Sequence, residues 1–163
     1  MILRYLSKKF IVNFLIVFFI FFIDRTSKKL VINYSKENIG GELYSSDYLN
    51  INLIWNEGIA FGLFSFAENY FYNFLTFIIL IVIFIIIRII LNSSGFKKFS
   101  LLMILGGALG NLYDRVFFSA VPDFLDLHIG NFHWFIFNIA DIFITIGVIF
   151  MIFLEFIDNI RKN

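Results

Sequence analysis

Apolar residues in this chain are concentrated in four long segments, which polar or mixed stretches separate. A helix needs about 20 apolar residues to cross the hydrocarbon core of a bilayer, because it rises only about 1.5 Å per residue. All four segments reach or nearly reach that length. The pattern predicts an all-α membrane protein with a single domain over residues 1–163 and four spans, at 10–32, 71–91, 99–118 and 134–157.

Basic residues flank these segments on one side of the predicted bundle. Lysine and arginine are enriched in the cytoplasmic loops of membrane proteins. Here they precede the first span, occupy the short loop 92–98 and follow the fourth span: Arg4, Lys8, Lys9, Lys97, Lys98, Arg161 and Lys162. Both termini are therefore predicted to lie in the cytoplasm, and the longer connections 33–70 and 119–133 on the outer side.

The two outer connections have different patterns. The stretch "LNINLIW" at 49–55 alternates between apolar and polar residues, which predicts one strand of a small extracytoplasmic β-sheet. The flanking stretches "ENIGG" and "NEGIAFG" are typical of turns. In the second connection Pro122 cannot continue a helix and favours extended backbone at Val121. We therefore expect Asp123 on irregular backbone at the membrane surface.

Composition narrows the class of protein. The chain is 60% hydrophobic and 21% aromatic, which is typical of an integral membrane protein. It has no cysteine, so disulfides, thiolate nucleophiles and cysteine metal sites are excluded. The net charge of +1 gives no support to a nucleic-acid partner. His128 and His133 are interpreted as interfacial polar residues, because no carboxylate accompanies them at a fixed helical spacing. We predict neither a metal nor a cofactor.

Charged residues interrupt the first predicted span. The apolar run 10–23 alone is too short to cross a bilayer, so the helix must continue through Asp24 and Lys28. These two residues are spaced i, i+4 and lie on one helix face, which predicts a buried ion pair that positions the active region. The sequence leaves open whether Arg25 and Lys29 form an outer cap in which their side chains snorkel to the membrane surface.

The third predicted span ends with "GGALGNLYDR". Gly106 and Gly110 form a small-xxx-small pair, which allows another helix to approach closely. Asn111, Asp114 and Arg115 follow at i, i+3 and i+4 and reach the same outer end of the helix. Helix packing alone does not explain these three polar residues.

The fourth predicted span contains polar residues near its start. Asn138 and Asp141 share one helix face, and Asp141 is expected about 10 Å inside the apolar run that begins at Trp134. An acid within a membrane span is a functional hypothesis by default, because burying a charge there is costly. The small residues Ala140 and Gly147 suggest another close helix contact.

These acids suggest a chemistry. Two carboxylates that share a site cannot both ionise easily, so one keeps a proton while the other activates water. That is the chemistry of aspartic peptidases. Asp141 is one candidate, since no cation neighbours it in sequence. Asp123 is favoured over Asp114 as its partner, because Arg115 should hold Asp114 as a structural anion, while Asp126 is placed in an exposed stretch.

Five segments together resemble the bacterial lipoprotein signal peptidase family, signal peptidase II, over essentially the whole chain. They occur in the family's order and within its four-span topology: "DRTSK" at 24–28, "NEGIAFG" at 56–62, "GGALGNLYDR" at 106–115, "VPDF" at 121–124 and "FNIAD" at 137–141. The resemblance implies an intramembrane aspartic endopeptidase. Such an enzyme removes the signal peptide from prolipoproteins after a diacylglyceryl group has been attached to the lipobox cysteine.

The resemblance also implies roles for single residues. It makes Asp123 and Asp141 the catalytic pair and places Asp24 and Lys28 in a first-helix motif. Asp114 keeps the structural role suggested by its neighbour Arg115. Substrate-contacting or site-shaping positions are Asn56, Gly58, Asn111, Arg115, Asn138 and Ala140. The family's outer β-cradle corresponds to the strand at 49–55, and a flexible outer loop to part of 119–135.

The resemblance further implies partners and a location. The partners are lipidated prolipoprotein substrates, membrane lipid and globomycin-type inhibitors. The location is the bacterial cytoplasmic (inner) membrane, with the active site near the extracytoplasmic face. This sequence departs from the family at Pro122, where an aliphatic residue is usual, and has Glu57 at a variable position of "NEGIAFG". Neither change removes a catalytic group.

Two other functions would also place acids in or near membrane spans. A proton- or cation-coupled small membrane transporter would also place acids in spans, but it needs polar residues across the whole membrane. The inner halves of the second and fourth predicted spans are nearly bare of them. A non-catalytic assembly subunit would tolerate an Asp→Glu exchange at positions 123 and 141.

Overall fold

The computed structural model describes residues 2–37, 42–58 and 69–162, so that residues 59–62 of the "NEGIAFG" motif lie outside the described part. Its elements in chain order are α1 (Ile2–Glu37), β1 (Glu42–Ser45), β2 (Leu49–Asn56), α2 (Asn69–Leu91), α3 (Gly95–Phe118), β3 (Val121–Ile129), β4 (Phe132–Phe137) and α4 (Ile139–Lys162). Four of the described helices are long and apolar enough to cross a membrane. The predicted class, four spanning helices with a small sheet, is confirmed.

Helix α1 is longer than the predicted span 10–32. Its 36 residues give a length of about 54 Å, well beyond the roughly 30 Å of a hydrocarbon core. The helix continues through Asp24 and Lys28, as predicted. Phe14, Phe18 and Phe22 form an exposed stack along it, with ring centroids 5.9 and 6.1 Å apart. This face suits contact with lipid.

Helix α3 is the centre of the bundle and packs against α1, α2 and α4. Half of its most apolar segment is buried, compared with 11% for α1 and for α4. A Cβ added at Gly106 would lie 2.8 Å from Ile20, and one at Gly107 would lie 2.4 Å from the carbonyl oxygen of Ala140. The predicted close helix contacts are confirmed. The apolar core between α2 and α3 comprises Ile83, Ile86, Ile90, Leu101, Leu102 and Leu105.

The sheet has four antiparallel strands in the order β1-β2-β3-β4. Strand β2 confirms the strand predicted at 49–55. Most of the segment 119–135, part of which the resemblance assigns to an outer loop, is instead strand, because β3 and β4 occupy it. Strand β3 pairs with β2 on one side and β4 on the other, and Asp123 lies opposite Ile54. Asp123 is therefore on a paired strand and not on irregular backbone.

Helix α4 begins later than predicted. Trp134 belongs to β4, and the helix starts at Ile139, so the predicted span 134–157 is wrong at its start. Aromatic and β-branched residues before Asn138 suit a strand as well as an apolar helix. Asp141 consequently lies in the first turn of α4, and not about 10 Å along a helix.

Candidate active site

Asp123 and Asp141 are held together by one residue, Asn138. The side-chain Nδ2 of Asn138 donates a hydrogen bond of 2.6 Å to Oδ1 of Asp123. Its backbone N–H donates a bond of 3.1 Å to Oδ2 of Asp141. The two acids come from different elements, strand β3 and helix α4, and Asn138 lies at the junction between them. The structure therefore brings the two predicted carboxylates into one site.

The position of Asp141 follows from local sequence at the start of α4. Asn138 is the residue before the helix, and its Oδ1 accepts a hydrogen bond of 3.2 Å from the backbone N–H of Asp141. Together with the reverse bond from Asn138 N–H to Asp141, this is a reciprocal capping arrangement. It satisfies two backbone donors at the helix start and fixes the Asp141 carboxylate there.

Asp123 is buried, with only 4% of its surface exposed. Nδ2 of Asn56, at the end of β2, donates a hydrogen bond of 2.8 Å to Oδ2 of Asp123. Burial raises the pKa of Asp123 to about 6, and the nearby charge of Asp141 adds to the rise. The hydrogen bonds from Asn56 and Asn138 act in the opposite direction. Asp123 can thus hold a proton at a pH where an ordinary carboxyl group has lost it.

Asp141 is connected through Asn111 to a buried lysine. Nδ2 of Asn111 donates a hydrogen bond of 2.7 Å to Oδ1 of Asp141. Oδ1 of Asn111 accepts a bond of 2.9 Å from Nζ of Lys28. Since both oxygens of Asp141 accept hydrogen bonds, the carboxylate has a defined orientation toward Asp123.

Lys28 is the centre of a buried ion network. Its Nζ lies 2.9 Å from Oδ2 of Asp24 and 2.7 Å from Oδ2 of Asp114, and all three side chains are fully buried. Oδ1 of Asp24 accepts a bond of 3.0 Å from the backbone N–H of Ala140. The predicted Asp24 and Lys28 pair is confirmed. It ties α1 to the first turn of α4, beside Asp141.

Asp114 has other partners than expected. The sequence suggested Arg115 as its counter-ion, but Asp114 pairs with Lys28 and with Arg25. The reason is geometric, because adjacent residues on a helix point in different directions. Arg25, for which a snorkelling outer cap was one reading, thus belongs to the network. In the sequence, the i, i+3 spacing of Arg25 and Lys28 places both on one face of α1 and thus indicates that Arg25 joins the same network.

Arg115 contacts the loop after β2. Its Nη2 donates a hydrogen bond of 2.8 Å to the carbonyl oxygen of Gly58, whose N–H donates a bond of 2.9 Å to Oδ1 of Asn56. Nε and Nη1 of Arg115 are buried and have no hydrogen-bond partner among the described residues. All eleven residues that the sequence nominated lie in this one connected region. Close packing also holds this region together, since a Cβ added at Gly110 of α3 would lie 2.5 Å from Oδ2 of Asp24.

An apolar cavity of about 510 Å³ opens beside Asp141. Its walls come from the β3–β4 hairpin and from α4, and they include Phe135, Phe137, Ile142 and Ile146. The catalytic candidate Asp141 is one of the few charged groups that line it. The cavity can accept an apolar group next to the carboxylate pair.

The sequence predicts that the two histidines are interfacial polar residues with no carboxylate near them, and the absence of a carboxylate is wrong. Asp126, which the sequence placed in an exposed stretch, is 5% exposed, and its Oδ2 lies 2.9 Å from Nδ1 of His133. Strand pairing brings the Asp126 carboxylate beside the two histidines. Residue spacing along a helix gives no indication of such a contact.

Four spanning helices, a sheet at one end and a bridged pair of carboxylates, of which Asp123 is buried, define a membrane-embedded aspartic peptidase. Comparison with known proteins agrees. Residues 16–157 match the family model described as signal peptidase (SPase) II. The chain belongs to the signal peptidase II family, and its activity is that of a lipoprotein signal peptidase, with prolipoproteins as substrates.

Individual relatives cover nearly the whole chain. A lipoprotein signal peptidase of Pelagibacter ubique (strain HTCC1062) is 44% identical over 156 residues, which are 96% of this chain and 94% of the relative. One from Anaplasma phagocytophilum (strain HZ) is 38% identical over 91% of this chain and 94% of the relative. A bacterial membrane enzyme solved by the in meso method at 2.3 Å resolution is 29% identical with a TM-score of 0.73, over 93% of this chain and 92% of that chain. The assignment favours the peptidase over the transporter.

Proposed function

We propose that Asp123 and Asp141 are the catalytic pair of this peptidase and that they cleave prolipoproteins whose lipobox cysteine carries a diacylglyceryl group. The observation that supports the pair is its shared bridge, Asn138, which contacts both carboxylates. Two acids oriented by one residue can hold a water molecule between them and act on it together.

The two acids have different roles in this proposal. Asp141 is the ionised member, because the N-terminus of a helix favours a negative charge. It removes a proton from the water, whose oxygen attacks the carbonyl carbon preceding the modified cysteine. Protonated Asp123 donates a hydrogen bond to the carbonyl oxygen. The tetrahedral intermediate collapses when Asp141 passes the proton that it took from water to the cysteine nitrogen and the peptide bond breaks, which leaves a new carboxyl end and a new amine end.

The apolar cavity beside Asp141 supports the preference for a lipid-modified substrate. Acyl chains on the cysteine lie in the hydrocarbon of the bilayer, and a cavity lined by Phe135, Phe137 and Ile142 would receive them without exposing them to a polar surface. This places the peptide bond before the cysteine next to Asp141. An unmodified prolipoprotein lacks that anchor and should be cleaved more slowly.

Arg115 supports recognition of the substrate backbone. Its Nη2 holds the carbonyl of Gly58, and its Nε and Nη1 are buried without a partner in the described part of the chain. Buried donors without partners are rare, and an extended substrate offers carbonyl oxygens for them. Asn56 and Asn138 both hydrogen-bond to Asp123 in this structure. Our proposal adds that either side chain can also contact the backbone of the substrate.

The proposed location is the bacterial cytoplasmic (inner) membrane. The basic residues at both termini and in the short loop between α2 and α3 support a cytoplasmic position for that end of the bundle. The sheet and the Asp pair would then be near the extracytoplasmic face. Globomycin-type inhibitors would occupy the same site and compete with the substrate.

The test is cleavage of purified prolipoprotein, with and without the diacylglyceryl group, by protein reconstituted in lipid. We expect Asp123→Asn and Asp141→Asn to lose activity by about 10²- to 10⁴-fold, and unmodified substrate to be cleaved poorly. Asp47→Asn, which changes an exposed acid in the turn before β2, is the control and should keep wild-type activity. Near wild-type cleavage by either Asp variant would refute the pair, and equal cleavage of both substrates would refute the lipid preference.

A further inference from the structure

Three side chains of types that bind metals lie together on the β3–β4 hairpin. Asp126 and His128 lie on β3, on either side of an irregularity in its pairing with β4. His133 on β4 lies directly opposite His128 in the register of the sheet. The pairing of the two strands therefore collects two imidazoles and one carboxylate at one point.

Distances within this cluster suit a shared ion. Nδ1 of His133 lies 3.0 and 2.9 Å from the two carboxylate oxygens of Asp126. The rings of His128 and His133 are stacked, with centroids 5.0 Å apart and planes at 19°. One ligand atom from each of the three residues lies within 4.8 Å of the others. Small rotations of the exposed His133 ring and of the partly exposed His128 ring would bring the ligand atoms to the distances of a metal site.

His128 supplies an independent observation. Its Nδ1 is buried and has no hydrogen-bond partner among the described residues. The backbone of His128 is fixed, since its N–H donates a hydrogen bond of 3.0 Å to the carbonyl oxygen of Tyr48. A buried polar nitrogen without a partner is unfavourable, and a metal ion or a water bound to that ion would satisfy it.

We propose that Asp126, His128 and His133 form a binding site for a zinc-type divalent cation, separate from the Asp123 and Asp141 pair. Two imidazoles and a carboxylate are ligands that Zn²⁺ takes in proteins, with a fourth position left for water. Nδ2 of Asn50 donates a hydrogen bond of 3.4 Å to Oδ2 of Asp126, which is the kind of outer contact that orients a ligating carboxylate.

Such an ion would tie β3 to β4 next to the apolar cavity. His128 and Asp141 both line that cavity, so the cation would stabilise the wall that faces the carboxylate pair. Because the three ligands meet only when the hairpin is formed, the ion binds the folded chain and raises its thermal stability.

The composition of the chain makes the test simple. The sequence has two histidines and no cysteine, so in protein without a histidine tag an imidazole–metal signal comes from His128 and His133 alone. We would measure Zn²⁺ bound after equilibrium dialysis in detergent, and the visible absorption of Co²⁺ as a probe of low-coordinate nitrogen ligation. We expect one ion per chain for the wild type. We expect a loss of affinity of about tenfold or more for His133→Gln and His128→Gln, and unchanged binding for the control Asp47→Asn.

Thermal unfolding of His133→Gln separates a loss of metal binding from misfolding of the variant. The His133 side chain is 53% exposed, so the variant should unfold at the wild-type temperature when no metal is present. Added Zn²⁺ should then raise the unfolding temperature of the wild type but not of the variant. An equal rise in both, or equal Zn²⁺ binding by both, would refute the site. These measurements do not use peptidase activity, so their outcome is independent of the proposed function.

Discussion

The side-chain amide of Asn138 donates a 2.6 Å hydrogen bond to the carboxylate of Asp123, and this bond joins the start of α4 to strand β3. The same residue caps α4 through its side-chain oxygen. One side chain thus has a structural role at the helix end and, in our proposal, a positioning role for the two acids, and substitutions can separate the two.

The first prediction concerns this dual role. Asn138→Ser keeps a side chain that can cap α4 but that is too short to reach Asp123, whereas Asn138→Ala loses both functions. We expect both variants to lose about 10²-fold in kcat, because the acids lose their relative orientation. Only the Ala variant should also lose about 1 kcal/mol of unfolding free energy. Steady-state kinetics and thermal unfolding distinguish these effects, and wild-type kcat in Asn138→Ser would contradict the positioning role.

The second prediction concerns Lys28. Replacing it by Met removes the only ammonium group that contacts both Asp24 and Asp114 in the described structure, and leaves buried carboxylates undercompensated. We expect a loss of about 3–5 kcal/mol in the free energy of unfolding. Lys29→Met changes the neighbouring exposed lysine and is the matched control, with an expected effect within about 0.5 kcal/mol. Similar unfolding temperatures for the two variants would show that the buried network contributes little.

The third prediction concerns the contact between α3 and α1. A Cβ added at Gly110 would lie 2.5 Å from Oδ2 of Asp24, so Gly110→Ala must displace the carboxylate that holds the Ala140 N–H. We expect destabilisation of about 1–3 kcal/mol, together with reduced kcat, because the start of α4 moves. Val116→Ala, at an exposed position of the same helix, is the control. A Gly110→Ala enzyme with wild-type stability and kcat would contradict the importance of this contact.

The fourth prediction concerns pH. The pKa of Asp123 in the folded protein is about 6, above its ordinary value of 3.8, so the folded state binds the proton more tightly than the unfolded state. This stabilising contribution is complete below about pH 3.8 and is lost as the pH rises through about 6. Relative to Asp123→Asn, the wild type should therefore lose up to about 3 kcal/mol between pH 4 and 7.

Thermal unfolding across that pH range measures the difference. Asp47→Asn should follow the wild-type curve, because Asp47 is exposed in the folded protein. A constant difference between wild type and Asp123→Asn at every pH would show that folding does not shift the pKa of Asp123 and would contradict this prediction.

The sequence by itself determined the features that depend on local spacing. Four apolar runs predict four spans, because span length is set by the bilayer and the helix rise. The i, i+4 spacing of Asp24 and Lys28 predicts their ion pair, since such residues share a helix face. The glycines of α3 predict its close contacts. The five motifs identify the family, and the resemblance implies that Asp123 and Asp141 are its two acids.

Only the tertiary structure decided which distant residues meet. Asp114 pairs with Lys28 and Arg25 and not with its neighbour Arg115, because helix geometry separates adjacent side chains while helix packing brings α1 to α3. Strands β3 and β4 form because they pair with β2 and with each other, and strand propensity depends on such partners. Because the residues before Asn138 pair as β4, α4 begins only at Ile139. The same pairing places Asp126 beside His133. These contacts join residues far apart in the chain or across a turn, so no local periodicity encodes them.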